Sequence, residues 1–262
     1  MKVTVSSLNG YAFCPRSVYL SDFLFVAPVN DSEKVRGFVG HGIRKELFLR
    51  QKGFIGKVHD AAEIGVLLRS ELVDIVDRAP LVYAKKFPGV SLKACVSETA
   101  SEVLDEVTLL LERLSCMSRD MGFDKAFGSL TPWEIDFPVS SDAIGLTGRI
   151  DLVMKGKNYY PLELKTCSPS DTLWEGDRLQ VCAYSMLLED ALEIKNIPHG
   201  FVEYTRIHER RPVVNTEKLR EKVFETRDAV LDVMGGTMPD ICPHGNGRKC
   251  ASCGFAERCY EM

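Results

Sequence analysis

The sequence predicts an α/β protein with a mixed central sheet, and three observations lead to this prediction. Amphipathic helical patterns fill the first half of the chain, with apolar residues at the helical period over 98–119. Strand patterns then follow one another over 133–166, and a helix and a further strand come after them. The order helix, strand, strand, strand, helix, strand is typical of an α/β core built on one sheet.

Each element has its own local signal. Val103, Val107 and Leu114 keep the helical period, whereas residues 133–139 alternate between apolar and polar side chains. Helices are expected over 35–52, 62–77, 98–119, 171–192 and 216–234, and strands over 133–139, 144–154, 159–166 and 200–207. No repeat or flexible linker divides the chain. We therefore expect a single domain over 1–262, with a helical insertion over 55–125 and a C-terminal cysteine segment over 240–262.

Composition excludes several classes of protein. The chain is 45% hydrophobic and 27% charged, which is typical of a globular protein and not of a disordered, collagen-like or coiled-coil one. No apolar run approaches the roughly 18 residues of a membrane span, and the N-terminus does not resemble a secretory signal, so a cytoplasmic protein without membrane contact is expected. The net charge of −4 argues against a protein that coats nucleic acid, but it leaves room for a local basic groove.

Three of the nine cysteines lie close together in one short segment. Cys250, Cys253 and Cys259 include a CxxC pair, in which two thiolates reach one metal across a tight turn. Soft thiolates select zinc or iron–sulfur, so the segment predicts a metal centre. The fourth ligand is either Cys242, which would complete a local zinc site, or the distant Cys14, and spacing alone does not choose between them.

The hairpin formed by the second and third strands carries the residues suited to chemistry. If residues 156–158 form a three-residue turn with a left-handed Asn158, Asp151 lies directly opposite Glu163. Their side chains are then ~5 Å apart on one face of the sheet. Strand alternation places Lys165 on that face as well.

This arrangement predicts a divalent metal site. Two carboxylates so close repel each other and need a cation between them, and hard oxygen ligands suit Mg²⁺ or Mn²⁺. A neighbouring lysine can orient or deprotonate a water, or neutralise a phosphate, so the set suits phosphodiester hydrolysis. The alternative is a salt bridge of Lys165 on a solvated sheet face, and a one-residue register slip would move Asp151 to the opposite face.

Side chains outside the hairpin extend the candidate site. Gln180 and Tyr184 are four residues apart and share one face of the helix that follows the hairpin. His41 on the first predicted helix adds an imidazole, a ligand that Mn²⁺ accepts more readily than Mg²⁺ does.

Six short motifs in this order resemble the RecB-like branch of the PD-(D/E)XK nucleases and, within it, the CRISPR-associated Cas-four family. They are Cys14-Pro15-Arg16, Gly37-x-x-x-His41, Gly148-Arg149-Ile150-Asp151, Glu163-Leu164-Lys165, Gln180-x-x-x-Tyr184 and Cys250-x-x-Cys253-x5-Cys259. The resemblance runs from residue 11 to residue 259. It implies a restriction-endonuclease-like core whose N- and C-terminal segments are tied together by an iron–sulfur cluster.

The resemblance also implies roles for individual residues. The metal, Mn²⁺ or Mg²⁺, would be held by His41, Asp151, Glu163 and the carbonyl of Leu164. The catalytic group would consist of Asp151, Glu163, Lys165, Gln180 and Tyr184. The cluster, more often of the 4Fe–4S type, would be held by Cys14, Cys250, Cys253 and Cys259.

Family members trim single-stranded DNA ends and process new spacers for the Cas-one/Cas-two integrase. The resemblance therefore implies a DNA exonuclease of CRISPR adaptation with such an integrase as its partner. Two alternatives stay open. One is the same module in recombination or repair with a helicase on another chain, since no Walker-type motif occurs here. The other is a non-catalytic, zinc-bound DNA or protein adaptor in which Cys242 replaces Cys14.

Basic residues after the last predicted strand are the candidates for DNA contacts. If this segment stays extended, Arg206, His208 and Arg210 lie on one side, within reach of a phosphate track, and Arg211 follows them. Arg16, close to Cys14 in the sequence, is a further candidate.

Overall fold

The computed structural model describes residues 1–28, 32–167, 171–241 and 245–262, so Cys242 lies outside the described residues. The elements in chain order are β1 (Val3–Thr4), α1 (Val5–Phe13), α2 (Pro15–Val18), a π-helical turn (Tyr19–Phe23), α3 (Ser32–Gly53), α4 (Ala61–Tyr83), α5 (Leu92–Met121), α6 (Phe123–Leu130), β2 (Glu134–Ser141), β3 (Leu146–Lys155), β4 (Tyr159–Lys165), α7 (Glu175–Ala191), β5 (His199–Tyr204), β6 (Glu209–Val214), α8 (Glu217–Met234), α9 (Gly247–Ala251) and α10 (Ala256–Tyr260).

One six-stranded sheet organises these elements. Its path is β1-β3-β4-β5-β6, and β2 pairs with β3 off this path. The pairs β1–β3 and β4–β5 are parallel, whereas β2–β3, β3–β4 and β5–β6 are antiparallel. The predicted α/β fold with a mixed sheet is confirmed, and so is the predicted order of the core helices and strands.

The two edges of β3 are paired differently. On one edge β2 follows β3 along most of its length. On the other edge β1 pairs with Leu146 and Thr147, and β4 begins to pair only at Leu152. Within the described residues, positions 148–151 therefore have no strand partner on that edge, and this break is where the candidate site forms.

Helices cover both faces of the sheet. On one face, Val153 and Tyr204 of the sheet belong to the same buried cluster as Leu187 of α7, with residues of α1 and α8 around them. On the other face, Leu152 and Leu162 form a smaller buried cluster against which Phe48 of α3 packs.

The helices α3 to α6 have a hydrophobic core of their own. Ile43, Leu68, Val103 and Phe127 bring one side chain each from these four helices into it. The helices α4 and α5 run longer than the predicted 62–77 and 98–119. They lie in the part of the chain for which we expect a helical insertion. None of the helices in the described ranges is both long and apolar enough to cross a bilayer.

The strand expected over 200–207 is shorter than predicted, and a further strand follows it. Strand β5 ends at Tyr204, residues 205–208 form a turn, and β6 pairs back antiparallel onto β5. The sequence of β6 is charged and contains Pro212, which is tolerated because a proline can occupy an edge strand. A polar edge strand leaves little periodic signal, so sequence patterning missed it.

Candidate active site

Four elements bring the predicted site residues together. The helix α3 carries His41, the strands β3 and β4 carry the two acids and the lysine, and α7 carries the last two residues. These side chains are His41, Asp151, Glu163, Lys165, Gln180 and Tyr184. Both acids are only 7% exposed, so the solvated sheet face that the salt-bridge alternative assumed is wrong, although Lys165 does pair with Glu163.

The predicted hairpin register is confirmed for its four pairs, from Lys155 opposite Tyr159 back to Leu152 opposite Leu162. The ladder ends one position before the two acids would pair. Instead, the Leu164 N–H donates to Asp151 Oδ2 over 3.0 Å. The turn differs in detail from the prediction, because Asn158 does not have a positive φ.

Glu163 and Lys165 form one network with the helix α7. Gln180 Nε2 donates to Glu163 Oε1 over 2.8 Å, and Lys165 Nζ donates to Gln180 Oε1 over 3.0 Å. Lys165 Nζ also lies 3.2 Å from Glu163 Oε1 and 3.0 Å from Asp177 Oδ1. Asn9 of α1 donates to both Gln180 Oε1 and Asp177 Oδ1. Gln180 therefore fixes the positions of both the acid and the lysine.

Sequence reasoning missed Asn9 and Asp177. The signal for Asp177 was its position three residues before Gln180, which places it on the same helix face. Asn9 left no comparable signal, because α1 meets α7 only in the folded protein.

Burial and neighbouring charges set the ionisation of the site. Burial raises the pKa of Glu163 to about 8, and the charge of Asp151 adds to this rise. Burial works to lower the pKa of Lys165, but the carboxylates of Glu163 and Asp177 outweigh it, and the pKa is raised overall. Burial also lowers the pKa of His41, which favours the neutral imidazole that binds metals.

A second acid–lysine pair, which the sequence analysis missed, lies beside Asp151. Lys45 Nζ is 2.7 Å from Asp151 Oδ1 and 2.8 Å from Asp136 Oδ1. The pairs on either side, Ile135 with Leu152 and Phe137 with Ile150, place Asp136 opposite Asp151. Asp136 breaks this ladder with a φ of 56°, a strained conformation of the kind that concentrates at functional sites. The register of β2 against β3, counted from the turn that joins them, was the signal in the sequence that could have placed Asp136 beside Asp151.

Gly148 allows Tyr184 to pack against the strand. A Cβ at Gly148 would lie 2.8 Å from Tyr184 Cε1 and 3.2 Å from Val5 Cγ2. The ring of Tyr184 is buried directly over this position. Gly148 lies three positions before Asp151 in β3, and its lack of a side chain allows α7 to pack close to the strand.

The four cysteines implied as cluster ligands line one small cavity of about 20 Å³. These are Cys14, Cys250, Cys253 and Cys259. Burial raises the pKa of the Cys14 thiol, and the nearby charges of Cys253 and Cys259 add to the rise. In the ranges that the structure describes, no three His, Cys, Asp or Glu residues form a ready-made metal site. The chemistry of the donors nevertheless fits: thiols gather at one cavity, and an imidazole and two carboxylates gather at the other site.

The residues expected to contact DNA do not form a row. Arg206 lies within the turn over 205–208 and pairs with Glu33. Arg210 pairs with Glu203 over 2.5 Å, and Arg211 pairs with Glu209 over 2.6 Å. The expected alternation is wrong, because the turn over 205–208 interrupts the extended chain.

Arg16, the fourth basic residue expected at DNA, is only 2% exposed. Its guanidinium lies inside the protein and presents no surface to a phosphate.

Comparisons with known proteins agree with this architecture. The model of the PD-(D/E)XK nuclease superfamily matches residues 2–260. A CRISPR-associated exonuclease Cas4/endonuclease Cas1 fusion from Leptospira interrogans serogroup Icterohaemorrhagiae serovar Lai (strain 56601) is 28% identical over 132 residues, covering 47% of this chain. The aligned segment spans 24% of that relative. Two acids and a lysine at a broken sheet edge, together with a family match over nearly the whole chain, lead to one conclusion: this chain belongs to the PD-(D/E)XK nuclease superfamily.

Proposed function

We propose that this protein is a metal-dependent DNA exonuclease that acts on single-stranded ends. The observation that carries the proposal is the pair of buried acids Asp151 and Glu163 with the partly buried Lys165 at the break in the sheet. Gln180 holds Glu163 and Lys165 there. Buried acids of this kind are unfavourable unless a cation compensates them. Members of the superfamily generally use divalent metals.

His41, Asp151, Glu163 and the Leu164 carbonyl would hold Mn²⁺ or Mg²⁺. The ion would supply a more acidic bound water and neutralise charge on the scissile phosphate. His41 lies on α3 with its Nδ1 3.7 Å from Asp151 Oδ2, so a helix and a strand both supply donors. The Leu164 N–H orients the Asp151 carboxylate through its hydrogen bond.

Lys165 would act as a charged hydrogen-bond donor at the phosphate. Its ammonium group already contacts Glu163, Asp177 and Gln180, so its position is set from three sides. A fixed positive charge at this position stabilises negative charge that develops in the transition state. Gln180 and Tyr184 would position this group and support the DNA.

Cys14, Cys250, Cys253 and Cys259 would hold an iron–sulfur cluster of structural role. The gathering of these four thiols at one cavity supports this assignment. A centre shared between residue 14 and residue 259 closes a very long loop, and so it stabilises the docking of α9 and α10 on α1 and α2.

We further propose that the physiological substrate is a prespacer and the partner is a CRISPR integrase. The relative from Leptospira interrogans supports this proposal, because its name joins a CRISPR-associated exonuclease and an endonuclease Cas1 in one chain. The same nuclease module in repair, with a separate helicase, is the second candidate.

The proposal is tested with anaerobically purified protein, end-labelled single-stranded DNA and Mn²⁺. We expect stepwise shortening of the labelled strand by the wild type. We expect cleavage to fall by at least about a thousandfold in Asp151→Ala and to stop with a chelator. Asp142→Ala is the matched control, since its side chain is 96% exposed in the turn between β2 and β3 and lies outside the site.

Cleavage that survives in Asp151→Ala would contradict the proposed mechanism. A folded, iron-loaded wild type that cleaves neither alone nor with the integrase would contradict the exonuclease itself. In that case a non-catalytic adaptor that carries the cluster would replace it.

A further inference from the structure

Arg16 is a buried cation without a buried anion to balance it. It belongs to the short helix α2 and is 2% exposed. Among the described residues, no Asp or Glu side chain forms an ion pair with it, whereas Arg44, which is 1% exposed at its side chain, is paired with Glu102 and Glu106. A buried charge without a partner is strongly unfavourable, so Arg16 needs a negative group nearby.

The guanidinium of Arg16 also has unused donors. Its Nη1 donates to the Pro239 carbonyl over 2.6 Å. Its Nε and Nη2 are buried and have no hydrogen-bond partner in the described part of the chain. Buried donors are almost always satisfied, and each one that is left without an acceptor destabilises the folded protein.

The cavity beside Arg16 is the one lined by Cys14, Cys250, Cys253 and Cys259. Lys249, the other cation in its wall, has an acceptor of its own, because its Nζ donates to the Phe13 carbonyl over 2.8 Å. Lys249 is also only partly buried, so the unsatisfied donors and the fully buried charge in this wall both belong to Arg16.

We propose that Arg16 binds the iron–sulfur cluster directly, donating hydrogen bonds from Nε and Nη2 to its sulfur atoms and balancing its negative charge. This inference rests on the cluster proposed above. Four thiolates around a cluster give a net negative group with sulfur acceptors, which is what the buried guanidinium lacks. Arg16 is thus a cofactor-binding residue and not a contact to DNA.

The proposal predicts a change in the redox behaviour of the cluster. Hydrogen bonds to sulfur and nearby positive charge favour the more negative, reduced state of an iron–sulfur cluster. In Arg16→Met we expect the equilibrium constant for reduction to fall about tenfold, which corresponds to about 59 mV for a one-electron couple. We expect a smaller decrease in Arg16→Lys, which keeps the charge but loses the planar fork of donors.

The experiment uses the full chain, purified anaerobically, with iron and sulfide content and the midpoint potential as readouts. Arg258→Met is the matched control, because Arg258 adjoins Cys259 in sequence but is exposed and pairs with Glu261. Its potential and iron content are expected to equal those of the wild type. An iron-loaded Arg16→Met with the wild-type potential would overturn the inference.

A second measurement covers the case in which Arg16→Met takes up no iron. The reduced wild type is labelled with ¹⁵N-arginine and examined by pulsed electron paramagnetic resonance. We expect a ¹⁵N coupling to the cluster, and its absence would overturn the inference while leaving the cluster itself established. A wild type that contains zinc or no metal in place of iron would overturn the proposed cluster, and this inference with it.

Discussion

The carboxylate of Asp151 is contacted from two elements at once. Lys45 and His41 reach it from α3, and the Leu164 N–H reaches it from β4. Asp136 of β2 shares Lys45 with it. Because an ammonium group and a divalent ion bind the same carboxylate oxygens, we expect Lys45 to compete with a metal ion for Asp151.

This competition gives a prediction for metal affinity. In Lys45→Met we expect Mn²⁺ to bind about tenfold more tightly, a gain of about 1.4 kcal/mol, because Asp151 no longer has to release an ammonium group. Calorimetric titration of the full chain with Mn²⁺ measures this affinity.

Lys52→Met is the control for the loss of charge alone. Lys52 lies two turns further along α3 and pairs with Glu134 instead of Asp151. Equal affinities in Lys45→Met and the wild type would mean that Lys45 does not compete with the metal.

At the scale of elements, a buried ion-pair group joins α3 to α5. The Arg44 guanidinium donates to Glu106 and Glu102, with its Nη2 2.7 Å from Glu106 Oε1 and 2.8 Å from Glu102 Oε2. Burial raises the pKa of Glu106 to about 7, and Arg44 opposes this rise. One buried arginine of α3 thus balances the charge of Glu106, and Arg36 of the same helix shares Glu102 with it.

We expect Arg44→Met to lower the free energy of unfolding by about 3–5 kcal/mol at about pH 8, because Glu106 is left buried without its counter-charge. Burial then acts unopposed, so the folded-state pKa of Glu106 rises further above its unfolded value. The folded protein then binds the proton more readily than the unfolded chain does. The lost stability is therefore regained as the pH falls through the folded-state pKa towards the unfolded one.

Urea unfolding at about pH 8 and about pH 5.5 measures both effects. Arg78→Met is the control, since Arg78 of α4 is exposed and pairs with Asp74, away from Glu102 and Glu106. A deficit for Arg44→Met that is the same at both pH values would show that Glu106 does not titrate as expected.

At the scale of the whole molecule, the sheet and the cysteine segment depend on different interactions. The sheet core is a large buried cluster that includes α1, α7 and α8. The helices α9 and α10 contain no fully buried residue, so their position relies on the small cavity between them and α2. Removing the proposed cluster should therefore affect the two parts unequally.

In Cys253→Ser we expect iron to be lost, DNA affinity to fall by at least about tenfold, and the cysteine segment to lose its protection against hydrogen exchange. The strands β3 and β4 should keep theirs, because their contacts do not involve the cavity. Hydrogen exchange with mass spectrometry and DNA-binding titrations report these changes.

Cys116→Ser is the matched control, since Cys116 is an exposed cysteine on α5. Unchanged melting, iron content and DNA affinity in Cys253→Ser would contradict the structural role of the cluster.

The sequence predicted the hairpin more accurately than it predicted the positions of the basic residues around the site. The register of β3 and β4 followed from a short turn between two alternating strands, and four of its pairs are confirmed. The row of Arg206, His208 and Arg210 was wrong, because one turn within a polar edge segment is enough to break strand alternation. Arg16 was expected at DNA, whereas it is buried and donates a hydrogen bond to the carbonyl of Pro239, a contact with a residue far away in sequence.

Sequence alone thus determined the fold class, the order of the elements and the residue types at the candidate site. Each of these follows from local periodicity, turn chemistry and motif spacing. Only the tertiary structure placed Lys45 and Asp136 beside Asp151, Asn9 beside Gln180, and Arg16 at the cysteine cavity. These contacts join elements that are distant in sequence, and their geometry is set by how helices pack on a sheet, which no local pattern of side chains encodes.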